Sequence, residues 1–199
     1  MSPKVTRLDT ATKEQRLDAV EEHKNSNVPT DPDGLLALLR VSAGYPAFSV
    51  DSLTQMLQTA ARAERAGASD ELVLAALMHD IGTPVALHNH AAAAAALVAP
   101  YVSHETYEIV RTHQDFQGRY YYQHFGGRTD EYERYAKESW FDTAVVFSDE
   151  WDQCSFDPRY PNPALAHFEP LVRDLCAAPR DKAPRPASAT VDSGSPAGV

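Results

Sequence analysis

The stretch Leu72-Val73-Leu74-Ala75-Ala76-Leu77-Met78-His79-Asp80-Ile81-Gly82 decides how this chain is read. An apolar run of helix formers ends in an adjacent imidazole and carboxylate, with Gly82 two residues further on. Asp70 is placed to cap this helix. Such a helix is buried by its apolar residues, so the His-Asp pair at its end is expected inside the fold. A buried Asp is costly unless something pairs it, and a metal ion is the partner that would also use the His. The pair alone is a weak signal. His and Asp residues at helical positions on both sides strengthen it.

The chain has 199 residues, enough for one domain with a sizeable core plus tails. Its hydrophobic content of 43% is ordinary for a globular protein. A net charge of −10 argues against a nucleic-acid or anionic-membrane partner, either of which would want a basic face. It leaves room for a small anionic substrate, because a local metal site can override the global field. Two cysteines, Cys154 and Cys176, provide no disulfide framework and suit a reducing compartment. The N-terminus is polar, without a signal-peptide core, and the apolar stretch Ala91 to Val98 is too short to cross a bilayer. A cytoplasmic protein is the expectation.

Outward from the opening stretch, the pattern is helical throughout. Residues 1–32 read as a polar N-terminal extension with one short helix near Lys13 to His23, and Val28 to Gly34 as turn chemistry. Residues 33–177 read as one domain and 178–199, rich in Pro, Ala and Ser, as a disordered tail. A short helix is expected over Leu35 to Val41. The next should run from about Ser49 to Ala66, capped by Ser49 or Asp51 and stopped by Gly67, with a narrow inner face set by Leu53, Leu57, Ala60, Ala61 and Glu64. Asn89 is placed to cap an alanine-rich helix from His90 to Val98. Ser103 or Thr106 should open another that ends near His113. A charged helix is expected over Asp130 to Lys137, one from Phe141 to Trp151, and a last one from Ala164 to Leu175. No strand pattern and no internal repeat is visible. The fold class is all-α, a single helical bundle.

First-row metals favour imidazole and carboxylate ligands, which a bundle can supply from separate helices. The eight histidines sort by context. His23 lies in the polar extension, His104 at a helix start and His167 beside Phe168, where surface or packing roles suffice. His124 lies among aromatic residues and either lines a pocket or packs. His79, His88, His90 and His113 remain. His90 follows Asp80 by ten residues, a length that can return it to the same site. His90 and His113 could face each other across a helical hairpin. Asp152 ends a largely apolar helix and is either a solvated helix end or the last ligand.

These residues resemble the HD-domain superfamily, whose pattern is His, then His-Asp, then a distant Asp on a helical bundle. His90, His113 and Trp151-Asp152-Gln153 are more similar to one branch, the mixed-valent diiron oxygenases, which comprises myo-inositol oxygenase and the hydroxyphosphonate-cleaving oxygenases. The resemblance covers roughly Gly44 to Leu175, with Met56-Leu57-Gln58-Thr59-Ala60 and His79-Asp80-Ile81-Gly82 its most specific parts. It implies iron, two ions if the centre is complete, or another divalent metal in its place. Asp80 would bridge, His90 and His113 would bind one iron, and His79 and Asp152 the other. The implied partners are dioxygen and a small hydroxylated substrate that loses hydrogen from its hydroxyl-bearing carbon.

The chain departs from that pattern at Gln55, which stands where the resemblance places the first ligand histidine, 24 residues before His79. A neutral amide oxygen is a weaker ligand than imidazole. One site would keep His79, Asp80 and Asp152 with at best the Gln55 carbonyl, and the other His90, His113 and the shared Asp80. That second set has the composition of a two-His-one-carboxylate site. His88 could substitute for the missing ligand, although a solvated loop position explains it equally well. Among substrate contacts, Tyr45 matches a loop tyrosine of the phosphonate-cleaving enzymes, but Phe48 occupies their acidic position. Gln117 stands where they carry a lysine; the lysine would suit an anionic phosphonate, whereas Gln117 suits a neutral hydroxyl or amide. Tyr121, within Tyr120-Tyr121-Tyr122, and His124 are candidate pocket walls. Two other functions compete. A metal-dependent phosphohydrolase would activate water, with Arg111, Arg119 and Arg128 as partial phosphate holders. A non-catalytic protein would keep an incomplete centre for binding.

Overall fold

The computed structural model describes residues 5–24 and 31–180, and its regular structure is almost all helix. Its first helix, α1 (Lys13–Lys24), is opened by a reciprocal cap: the Thr12 amide donates to Gln15 Oε1 at 2.9 Å and the Gln15 amide to Thr12 Oγ1 at 3.2 Å. Its described side chains are mostly exposed, so it adds little to the core. Helix α2 (Asp31–Val41) begins earlier than the turn-like Asp31-Pro32-Asp33-Gly34 suggests, because proline is tolerated in the first turn of a helix. Val28 to Thr30 lie outside the described residues, as does the tail beyond Arg180. Leu35, Leu36 and Leu39 bury α2 in the core.

A two-residue antiparallel pair, β1 (Pro46–Ala47) with β2 (Val50–Asp51), forms a hairpin where no strand was expected. Phe48 at its tip has φ +52°, a left-handed conformation that is strained for an aromatic residue. Asp51 then caps α3 (Ser52–Arg65), its carboxylate accepting from the Thr54 amide at 2.7 Å, and Gly67 supplies the left-handed turn after it. The inner face of α3 is wider than its apolar period implies. Gln55, Gln58 and Thr59 are buried along with Met56, Leu57, Ala60 and Ala61, while Glu64 is exposed.

Helix α4 (Asp70–Met78) is the central element, with Val73 to Met78 all buried. Its cap is Ser69, whose hydroxyl accepts from the Leu72 amide, and Asp70 is the first helical residue instead. After the short α5 (Thr83–Ala86) and a 3-10 turn, α6 (His90–Val98) packs its buried alanines against α7 (His104–Gln117). Small side chains on α6 allow that close approach. Asn89 sits at the cap position of α6 but makes no capping hydrogen bond. Ser103 caps α7, which continues one turn past His113.

The charged segment after Asp130 forms a 3-10 helix, Glu131–Tyr135, where an α-helix was expected. Its aromatic residues explain this: Tyr132 and Tyr135 pack with Trp140 and Phe141 around the buried ring of Phe116, and Tyr135 donates to Asp115. Helix α8 (Phe141–Val146) widens into a π-helical turn, Phe147–Asp152, where the Gln153 amide donates to the Ser148 carbonyl at 3.0 Å. Helix α9 (Leu165–Leu175) packs on α2 and α4, through Phe168 and Val172. No helix among the described residues is long and apolar enough to cross a membrane.

Candidate metal centre

Helix α4 delivers His79 and Asp80 at its C-terminal end. His79 is fully buried, and its Nδ1 donates to the Ala76 carbonyl at 2.8 Å. Its Nε2 therefore points the other way, 3.3 Å from Asp152 Oδ1 and 3.6 Å from Asp80 Oδ2. His90 and His113 repeat this arrangement. Each donates from Nδ1 to a carbonyl three residues earlier, Leu87 at 2.9 Å and Val110 at 2.7 Å. Their Nε2 atoms converge on Asp80 Oδ1 at 3.2 Å and 3.3 Å. The rings of His113 and His79 are 4.9 Å apart, and those of His90 and His113 5.4 Å.

Gly82 makes the approach of His90 possible. A Cβ there would lie 2.5 Å from the His90 carbonyl oxygen and 2.9 Å from Ala93 Cβ. The wide π turn has the corresponding effect for Asp152. It turns Ser148, Trp151 and Asp152 inward, and the Asp152 carboxylate is completely buried. Such widened turns recur at functional sites. From the opposite side α3 contributes Gln55, whose Nε2 donates to Asp152 Oδ1 at 2.7 Å and reaches His79 Nε2 at 3.2 Å.

The electrostatics of this cluster are those of an anionic pocket. Burial opposes charge on His79, while the Asp152 and Asp80 carboxylates favour it and on their own raise its pKa; the Gln55 amide donor beside Nε2 acts against that proton. The amide nitrogen of Gln55 has no lone pair to accept an imidazolium N–H, so its contact supplies from outside the ring the hydrogen that a proton would bring. Burial likewise opposes charge on Asp80, yet His79, His113 and His90 together hold its carboxyl well below the usual range.

Neutral imidazoles that donate from Nδ1 present lone pairs at Nε2, and here those lone pairs face carboxylate oxygens. Asp80 Oδ1, Asp152 Oδ2 and Gln55 Oε1 are buried without a hydrogen-bond donor. Acceptors gathered in this way repel one another unless a cation lies among them. Ligand atoms about 2.1 Å from one ion sit roughly 3.0–3.4 Å apart, which matches the spacing of the His90 and His113 nitrogens from Asp80 Oδ1. His79, Asp80 and His113 also offer ligand atoms within 4.8 Å of one another. Backbone carbonyls orienting the opposite ring nitrogen are the usual support for ligand histidines. The residues present fit a divalent metal.

The HD domain family model matches residues 52–157, more than half of the chain. The chain belongs to the HD-domain family. That places it in a metal-dependent superfamily, mostly phosphohydrolases with some oxygenases. No curated protein matches it in sequence.

Other expected residues of this HD domain fall at graded distances from the cluster. Gln117 lines two neighbouring cavities, one of about 330 Å³ that reaches Asp80 and His90, the other of about 300 Å³ walled by Tyr120 and Tyr121. Tyr121 is near enough for Asp152 and Asp80 to act on its phenol, which burial pushes upward. Tyr45 lines neither cavity, and its backbone instead accepts from the Ser52 amide. His124 is exposed on a 3-10 turn, and His88 is exposed beside His90. His167 pairs with Glu64 on the surface. Sequence reasoning missed Phe156, which meets Phe48 edge to face at 5.0 Å and lines both cavities with it. Phe48 was noted only as the lack of an acid, and no local signal pairs it with Phe156.

Proposed function

We propose that this HD-domain protein is an iron-dependent oxygenase for a small, uncharged, hydroxylated substrate. The observation that carries this reading is the lining of the cavity beside the cluster. Asp80, His90, Thr83, Ser52 and Gln117 provide its polar atoms, Phe48, Phe156 and Leu87 its apolar wall, and among the described residues no Lys or Arg lines it. Among the described residues the neighbouring cavity also has no Lys or Arg in its lining. The three arginines considered for phosphate are each paired with a carboxylate: Arg111 with Glu108, Arg119 with Asp149, Arg128 with Asp130. An anionic substrate would meet Asp80 there, with a bound metal as its counter-charge among the described residues that line the cavity.

Iron held by His90, His113 and Asp80 would supply the one-electron and dioxygen chemistry that no side chain here can perform. The chain's own residues bind and orient. The Gln117 carboxamide can both donate to and accept from a substrate hydroxyl. Tyr121, in the wall of the neighbouring cavity, keeps its phenol protonated because burial raises its pKa, and so remains a donor there. Phe48 and Phe156 face the same space and give it an apolar wall.

The majority activity of the superfamily makes phosphohydrolysis the second reading. Protein purified without oxygen and loaded with Fe(II) separates the two. Small polyols and hydroxy amides should provoke oxygen uptake, with no phosphate released from phosphate mono- and diesters. Phosphate release without oxygen uptake would overturn the proposal in favour of a hydrolase. Neither activity across both panels would overturn it in favour of a binding role.

A further inference from the structure

The buried acceptors of the centre divide into two unequal halves. Asp80 Oδ1 lies between His90 Nε2 and His113 Nε2 and receives no hydrogen bond. Between His79 and Asp152 stands the Gln55 carboxamide. Its Nε2 is 2.7 Å from Asp152 Oδ1, 3.2 Å from His79 Nε2 and 3.3 Å from Thr59 Oγ1, while the Thr59 hydroxyl donates back to the Gln55 backbone carbonyl at 3.0 Å. An amide NH2 carries two hydrogens, and the two nearest acceptors are the ones a metal ion would otherwise bind. With the amide reversed, its oxygen would sit 2.7 Å from a carboxylate oxygen, so nitrogen is the atom that belongs there.

We propose that the Gln55 carboxamide takes the place of a cation between His79 and Asp152, so that this chain binds one divalent ion, at His90, His113 and Asp80. The two hydrogens of the NH2 satisfy His79 Nε2 and Asp152 Oδ1 in a position where both are fully buried. A second ion would have to displace that NH2 and turn the amide, leaving its donors unpaired in a buried site. Asp152 Oδ2 and Gln55 Oε1 are the atoms such an ion would use after that rotation. Asp152 Oδ2 and Gln55 Oε1 also lack a donor, but His79 Nε2 and Asp152 Oδ1 are bridged by the NH2, whereas Asp80 Oδ1 faces the His90 and His113 nitrogens with no such bridge, and that half still calls for a metal. The inference rests on the metal-centre reading and not on the oxygenase chemistry, and counting ions reads it without any turnover.

The test is an anaerobic titration of the full chain with Co(II), followed by its visible absorption and by elemental analysis after gel filtration. Circular dichroism accompanies each variant. The native chain should bind one ion, His90→Ala none, and Gln55→His two. Gln55→Glu, a carboxylate of the same size, should also bind two and covers the case in which the histidine variant fails to fold. Two ions in the native chain would overturn the proposal, as would none. It would also fail if the native ion persisted in His90→Ala, or if folded Gln55→His and Gln55→Glu both stayed at one.

Discussion

Gly82 sets how closely the start of α6 can come to Asp80. Its φ is ordinary, so its value lies in the missing Cβ, which would press into the His90 carbonyl at 2.5 Å. Gly82→Ala should therefore push α6 outward, weaken Co(II) binding at least tenfold and cost on the order of 1–3 kcal/mol of stability from overpacking. Calorimetric metal titration beside denaturant unfolding measures both effects. Unchanged affinity would mean that His90 is not a ligand. At this scale the residues that cluster, His79, Asp80, His90, His113 and Asp152, were legible as candidates because imidazole and carboxylate are costly in a core. Gln55 was legible only as a departure from a pattern. That its amide nitrogen bonds both His79 and Asp152 depends on how α3 lies against α4, which no local signal encodes.

The helices that carry the site are tied together by their ends. Glu71, in the first turn of α4, accepts from the Ser103 amide at 2.8 Å and from its hydroxyl, and pairs with Arg180 at 2.6 Å. It thus fixes the cap of α7 to the start of α4. Burial raises the Glu71 pKa, but the Ser103 and Thr106 hydroxyls, the Ser103 amide and Arg180 outweigh it, so the net shift is down from 4.5. A lowered folded-state value means that the carboxylate's contribution is complete above the unfolded pKa and is lost as pH falls through the folded one. Glu71→Gln should lose about 1 kcal/mol at pH 7, and its gap to the native chain should narrow below pH 4.5. Urea unfolding at pH 7 and pH 4 checks this, and a gap that widens on acidification would contradict it.

Helix boundaries were legible where capping chemistry marks them, as at Asp51, Gly67 and Ser103. Two irregular elements were not. The 3-10 segment Glu131–Tyr135 owes its shape to aromatic packing on Phe116, and the π turn before Gln153 is one residue wider than the period predicts. Both are set by distant partners rather than by local propensity.

Across the whole molecule, the centre is where α3, α4, α6, α7 and the π turn meet. An all-α bundle was legible from apolar periodicity alone, because helix-forming runs recur between clear breakers. The cavities were not, since Phe48 on a strained hairpin and Phe156 on a loop come together only in the folded chain. The position of the ion is decisive, because the cavity proposed for substrate opens on Asp80 and His90 and not on the buried His79–Asp152 pair. Anomalous diffraction at the cobalt edge from crystals of Co(II)-loaded protein locates it directly. One peak is expected, within bonding distance of His90 Nε2, His113 Nε2 and Asp80 Oδ1. A peak between His79 Nε2 and Asp152 Oδ1, with the Gln55 amide turned aside, would contradict it.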